Sequence, residues 1–132
     1  LAFGPRTEAT ARLVLIAGIL PLAVVYTVLF PMIITGLIDP AGPPGGSMDF
    51  TKLSGVMALF DSKGGATIGW IHYLAFDLFT GIFIVNDARK NGIGFWPLLP
   101  CLFFTFMLGP FGLLLYLVLR WYQTRSYFID AE

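Results

Sequence analysis

Two titratable side chains, His72 and Asp77, lie inside the apolar stretch 66–85, ATIGWIHYLAFDLFTGIFIV. If that stretch crosses a bilayer, both stand within a few ångströms of its midpoint, by a helix rise of about 1.5 Å per residue. An ionised carboxylate at that depth costs at least about 2.5–3.5 kcal/mol. Asp77 is therefore expected to be protonated, to be buried in a polar bundle interior, or to be paired with a group from another chain. Five helical positions amount to about 140°, so the two residues face different ways. His72 aligns with Phe76, Phe79 and Phe83, while Trp70, Tyr73, Asp77 and Thr80 form a second stripe. Three chemistries suit His72. It could hydrogen-bond a neighbouring helix. It could act as the single axial metal ligand of a chlorin or haem held in a flat slot of Trp70, Phe76, Phe79 and Phe83. It could also share acid–base work with Asp77 as a catalytic pair, if packing or substrate joins them. The bland alternative for Asp77, with Tyr73 and Thr80 beside it, is a polar clasp between helices.

Other chemistry is sparse. The chain has one histidine and one cysteine, so it cannot form a multi-histidine metal centre or an internal disulfide. Cys101 sits in PLLPCLFF, the setting of an inert buried thiol. No glycine-rich phosphate loop and no repeat is visible. The first residue is Leu1, which predicts a processed or truncated start, and a targeting peptide cannot be judged from it.

The elements that must carry these residues follow from composition. Of 132 residues, 57% are hydrophobic and only 12% charged, about half the charge of an ordinary soluble domain. This excludes a disordered chain and argues against a water-soluble globule. Eight basic and eight acidic residues give a net charge of zero, which disfavours nucleic acid as a partner. The expectation is an all-α integral membrane fold in a single domain, 1–132. Its three transmembrane helices fall at 13–38, 66–85 and 93–119, and a short interfacial helix at 49–60 is N-capped by Asp49. Pro21 and Pro31 predict bends in the first span. DPAGPPGGS (39–47) is a loop, Asn86 and Asp87 close the second span, Arg89–Gly92 form a tight charged turn, and the tail YQTRSYFIDAE is an amphipathic docking segment. Three spans leave Arg6, Arg12, Arg89 and Lys90 on one side, with Lys52, Lys63, Arg120 and Arg125 on the other, so no orientation follows. The alternative is four spans, with the third stretch broken at Gly109–Pro110. Arg120 and Arg125 then change sides, making six against two.

One string is distinctive. GWIHYLAFDLFTG (69–81) is followed by Asp87-Ala88-Arg89, Pro100-Cys101-Leu102 and LGPFGLLLYL (108–117). Over about residues 53–122 the chain resembles the abscisic-acid-deficient-4-like membrane family, whose plant member is required for making neoxanthin from violaxanthin. The front third has no comparable match. The resemblance implies a small multi-span protein of plastid thylakoid or bacterial inner membranes connected with xanthophylls, and often four spans. His72, Asp77, Asp87 and Arg89 match its polar signature, which adds Asp87 and Arg89 to the helix-packing polar set.

The expected function is an accessory transmembrane subunit of a larger photosynthetic complex. Its expected partners are the lipid bilayer, other membrane-protein subunits and pigments, with carotenoid or chlorophyll as the cofactor. The alternative is a xanthophyll-converting, neoxanthin synthase-like enzyme or its essential factor, in which Asp77 protonates an epoxide oxygen and His72 removes a carbon-bound proton. A proton pathway would rest on Asp77 alone.

Overall fold

The structure, a computed structural model, describes residues 7–39 and 49–125. Arg6, most of the DPAGPPGGS connection and the tail beyond Arg125 lie outside the described residues. All regular structure among the described residues is helical: α1 (Thr7–Val14), a π-helical turn (Leu15–Ile19), α2 (Leu20–Ile34), α3 (Leu53–Phe60), α4 (Lys63–Lys90), α5 (Phe95–Leu108) and α6 (Pro110–Thr124). Two stretches, Ala9–Ile34 and Lys63–Lys90, are long and apolar enough to cross a membrane. The fold is all-α and membrane-associated. It packs as two compact units. One holds α1, the π-turn, α4 from Phe76 onward, α5 and α6; the other holds α2, α3 and α4 up to Ala75.

The first apolar stretch is helical from Thr7 and ends at Ile34, short of the expected Ile38. Pro21 cannot donate to the carbonyl four residues back, and the turn before it widens into the π-helix. Pro31 lies in the last turn of α2 without breaking it. The amide of Leu37 then closes the helix end onto the Met32 carbonyl at 2.8 Å.

In the unit built on α2, Ile33, Leu59 and Ile68 form the buried core. Asp39 accepts a hydrogen bond from the Gly64 amide and so caps the N-terminus of α4 with a carboxylate. Asp49 is not the N-cap of α3, as the sequence suggests; that position is Lys52, without a side-chain cap. Asp49 instead closes a local turn, accepting from the Thr51 amide at 3.0 Å and the Thr51 hydroxyl at 2.5 Å. Those two bonds, followed by the Lys52 ammonium, hold its carboxyl below the usual carboxylate range. Along α3 and just before it, Phe50, Leu53, Met57 and Phe60 form an exposed apolar stripe.

The second stretch is longer than 66–85, because the residues expected to close it, Asn86 and Asp87, and the first half of the expected turn, Arg89 and Lys90, are helical. Ala88 is buried in the core and Asp87 has a buried partner, so the helix gains by continuing. It ends in a Schellman arrangement: Gly92 has φ +67°, its amide reaches the Arg89 carbonyl at 3.2 Å, and the Ile93 amide reaches the Ala88 carbonyl at 2.9 Å.

The third stretch, expected as one long kinked helix over 93–119, is divided into two helices at Gly109. Pro110 bars helical backbone at the residue before it, and Gly109 takes φ 48°. Pro110 then occupies the start of α6, where its missing N–H costs nothing. α6 runs back along α5. Phe104 and Phe111 meet edge-on at 5.3 Å beside the turn. A Cβ on Gly112 would lie 2.0 Å from the Thr105 amide nitrogen, so only glycine permits this approach. Further along, Cys101 and Leu98 of α5, Tyr116 of α6 and Ile84, Val85 and Ala88 of α4 share one buried core.

Candidate functional site

Two polar–aromatic arrangements stand out, one in each unit. In the α2 unit, the His72 ring lies 5.5 Å from the Tyr26 ring at 51°. Tyr26 stacks on Phe30, one helical turn further on, at 5.4 Å and 19°. Phe30 meets Phe50 at 6.0 Å. The four rings form a ladder with an imidazole and a phenol at one end and hydrocarbon rings at the other. Tyr26 and Phe30 are half-buried, whereas His72 and Phe50 are exposed. Helical spacing makes this possible: Tyr26 and Phe30 are four positions apart and so share a face of α2. Such a surface can stack against a flat or rod-like conjugated ligand and offer a polar group to an oxygenated end.

In the other unit, Asp87 of α4 accepts hydrogen bonds from the Tyr116 hydroxyl and from Arg120 Nε, the latter at 2.7 Å. Arg120 is 2% and Tyr116 0% exposed. A carboxylate and a guanidinium so far from solvent are tolerable only as a pair with further hydrogen bonds. The triad therefore locks the α5–α6 hairpin to the end of α4. Thr105 spends its hydroxyl on the Cys101 carbonyl at 2.8 Å and adds no further polar link.

The sequence-derived candidates are distributed between these arrangements. His72 joins Tyr26 and Phe30, while Phe83 packs against the core around Ile84. Phe76, Phe79 and Trp70 are exposed. Asp77 is buried and Tyr73 half-buried. Thr80 donates its hydroxyl to the Phe76 carbonyl at 2.8 Å within its own helix. Asp87 is buried in the triad and Arg89 is exposed. Among the described residues no group of three or more His, Cys, Asp or Glu could hold a metal ion.

Sequence reasoning missed Tyr26, Phe30, Tyr116 and Arg120. Arg120 enters the sequence argument only as a flanking charge, and Tyr116 only within the string 108–117. A signal was present: Gly112, Tyr116 and Arg120 recur every four residues and are the buried line of α6.

Comparison with known proteins adds one finding. The family model described as ABA4-like, ABA DEFICIENT 4-like, matches residues 1–116. The match takes in the front third, beyond the residues 53–122 that carry the resemblance in the sequence. No curated protein and no solved structure matches the chain.

Proposed function

The chain belongs to the ABA DEFICIENT 4-like family, and on that premise we propose that it is a membrane-embedded accessory protein of xanthophyll metabolism that holds a carotenoid. The observation that carries this reading is the ladder of His72, Tyr26, Phe30 and Phe50, each ring within 6.0 Å of the next. A xanthophyll is a stiff apolar polyene with oxygenated end rings. The phenyl rungs suit the polyene, and Tyr26 and His72 suit a hydroxyl or epoxide oxygen. Imidazole could equally serve as the axial ligand of a chlorophyll beside the carotenoid. Other membrane-protein subunits, in a plastid thylakoid or a bacterial inner membrane, complete the proposal.

The enzymatic alternative asks His72 and Asp77 to act on one epoxide. They sit about 140° apart on one helix, with His72 exposed and Asp77 buried. No observation gives this reading an advantage.

We also propose the charge arrangement of the four-span alternative. The Asp87–Arg120 pair brings the end of α6 back to the end of α4. Counted along the sequence for four crossings, Arg6, Arg12, Arg89, Lys90, Arg120 and Arg125 belong to one side and Lys52 and Lys63 to the other. Six against two orients the richer side toward the cytoplasm or stroma.

The test is full-length protein in micelles, incubated with violaxanthin and separated by size. Pigment is expected to co-elute with the protein, and His72→Leu and Phe30→Ala are expected to reduce it several-fold while the helical signal is kept. Pigment retention unchanged in both variants would refute the ladder. Conversion of violaxanthin to neoxanthin by the purified chain would establish the enzymatic alternative.

A further inference from the structure

Arg12 near the end of α1 and Asn86, Arg89 and Lys90 in the last turns of α4 line one open cleft of about 710 Å³, together with Ala11. Asn86, Arg89 and Lys90 fall at i, i+3 and i+4 and so share a face of α4. Every polar side chain in this lining carries hydrogen-bond donors, and three of them are cations. No acid is among the described residues that line it. Asp87, two residues before Arg89, is buried and held by Arg120 and Tyr116. The partial negative charge of the α4 C-terminus is offset as well, because the Arg89 and Ala88 carbonyls accept from Gly92 and Ile93.

Position identifies the anion's source. Arg12 stands at the polar end of the apolar stretch that continues into α2, and Arg89 and Lys90 at the end of α4, the level of lipid headgroups. One turn or less beyond Arg12, Leu13 and Ile16 are exposed apolar side chains. A phosphate in the cleft could therefore continue into acyl chains lying on protein hydrocarbon. We infer that this cleft binds the phosphate of an anionic membrane lipid, gripping the headgroup with Arg12, Arg89 and Lys90. The binding is independent of the carotenoid reading, since it uses none of the ladder residues.

The experiment places the full chain in nanodiscs of phosphatidylcholine with a minor fraction of phosphatidylglycerol. The protein is then extracted in mild detergent, and the retained lipid is measured by mass spectrometry. Wild type is expected to keep phosphatidylglycerol in preference to phosphatidylcholine. A Lys or Arg near an anionic surface contributes about fivefold, so Arg12→Gln/Arg89→Gln should weaken the preference about 25-fold. Arg12→Lys/Arg89→Lys should keep most of it, and Lys52→Gln/Lys63→Gln should change it less than twofold. Millimolar inorganic phosphate is the second arm. If it raises the thermal midpoint of lipid-free wild type but not of the glutamine variant, and no phosphatidylglycerol is retained, the site takes a free phosphate rather than a lipid.

If the glutamine variant fails to fold, salt decides with wild-type protein alone. Phosphatidylglycerol held by charge is lost as salt rises. Retention indifferent to salt, equal retention of the two lipids, or an unchanged preference in a folded glutamine variant overturns the inference.

Discussion

Replacing Asp87 with alanine tests what holds the α5–α6 hairpin to α4. The change removes the acceptor of two buried donors, Arg120 Nε at 2.7 Å and the Tyr116 hydroxyl. Within a bilayer, apolar packing gains little from water exclusion, since lipid is as apolar as leucine. The buried guanidinium that loses its counter-ion, only 2% exposed, dominates the cost. Removing one partner of a buried pair costs about 3–5 kcal/mol, which lowers the folded-to-unfolded ratio at least about 150-fold. Asp87→Asn keeps an acceptor and loses the charge, so it should fall between wild type and Asp87→Ala. Asp87→Leu/Arg120→Met removes both charges and should recover most of the loss, leaving only Tyr116 without its acceptor. The assay is reversible unfolding of the full chain by SDS in mixed micelles, followed by tryptophan fluorescence. The double-mutant cycle should give a coupling of about 2–3 kcal/mol. A loss below about 1 kcal/mol for Asp87→Ala, or a double variant as unstable as the two single losses combined, would refute the clasp.

Three further outcomes are expected. Gly112→Ala places a methyl 2.0 Å from the Thr105 nitrogen and 2.4 Å from its Cα; backbone cannot yield as a side chain can, so the loss should reach about 3 kcal/mol in the same assay, against a much smaller one for the exposed Leu114→Ala. Gly81 and Gly92 both have open space around an added Cβ, yet alanine should act in opposite directions: up to about 1 kcal/mol of stabilisation inside α4 at Gly81, and about 1 kcal/mol of loss at Gly92, whose φ is +67°. Thermal midpoints check both. For topology, a Cys101→Ser background carrying Lys90→Cys or Gln123→Cys should react with an impermeant maleimide from the same side of the membrane, and Lys52→Cys from the opposite side; labelling of Gln123→Cys from the Lys52 side would sink the returning hairpin.

Much of the architecture was legible because membrane solvation is strict. A long uncharged stretch must be helical to satisfy its own backbone, so both long helices and the short α3 could be placed from hydropathy and spacing. Pro21 announced its distortion, and Pro110 offered a break that the sequence left open beside a single bent span. What decided between them was contact across the turn. Gly112 fits against Thr105 and Arg120 meets Asp87, pairings remote in sequence that composition cannot weigh. The candidate site was legible only in part. His72 was conspicuous as the one histidine, but its contact with the Tyr26 ring of α2 was not, because it joins residues far apart in the chain.

The residues alone determined that this chain avoids water along most of its length, that it is helical, and that His72 and Asp77 are its misfits in an apolar helix. Hydropathy and helical period are local properties, readable from neighbours within two turns. Tertiary structure decided which charges are quenched and which remain available. Asp87 and Arg89 stand two positions apart in the same charged string. One is buried against Arg120 and the other opens onto a cleft with Arg12. That difference arises because burial depends on which distant helix covers each face, and a charge excluded from water must find its counter-ion wherever the fold brings one.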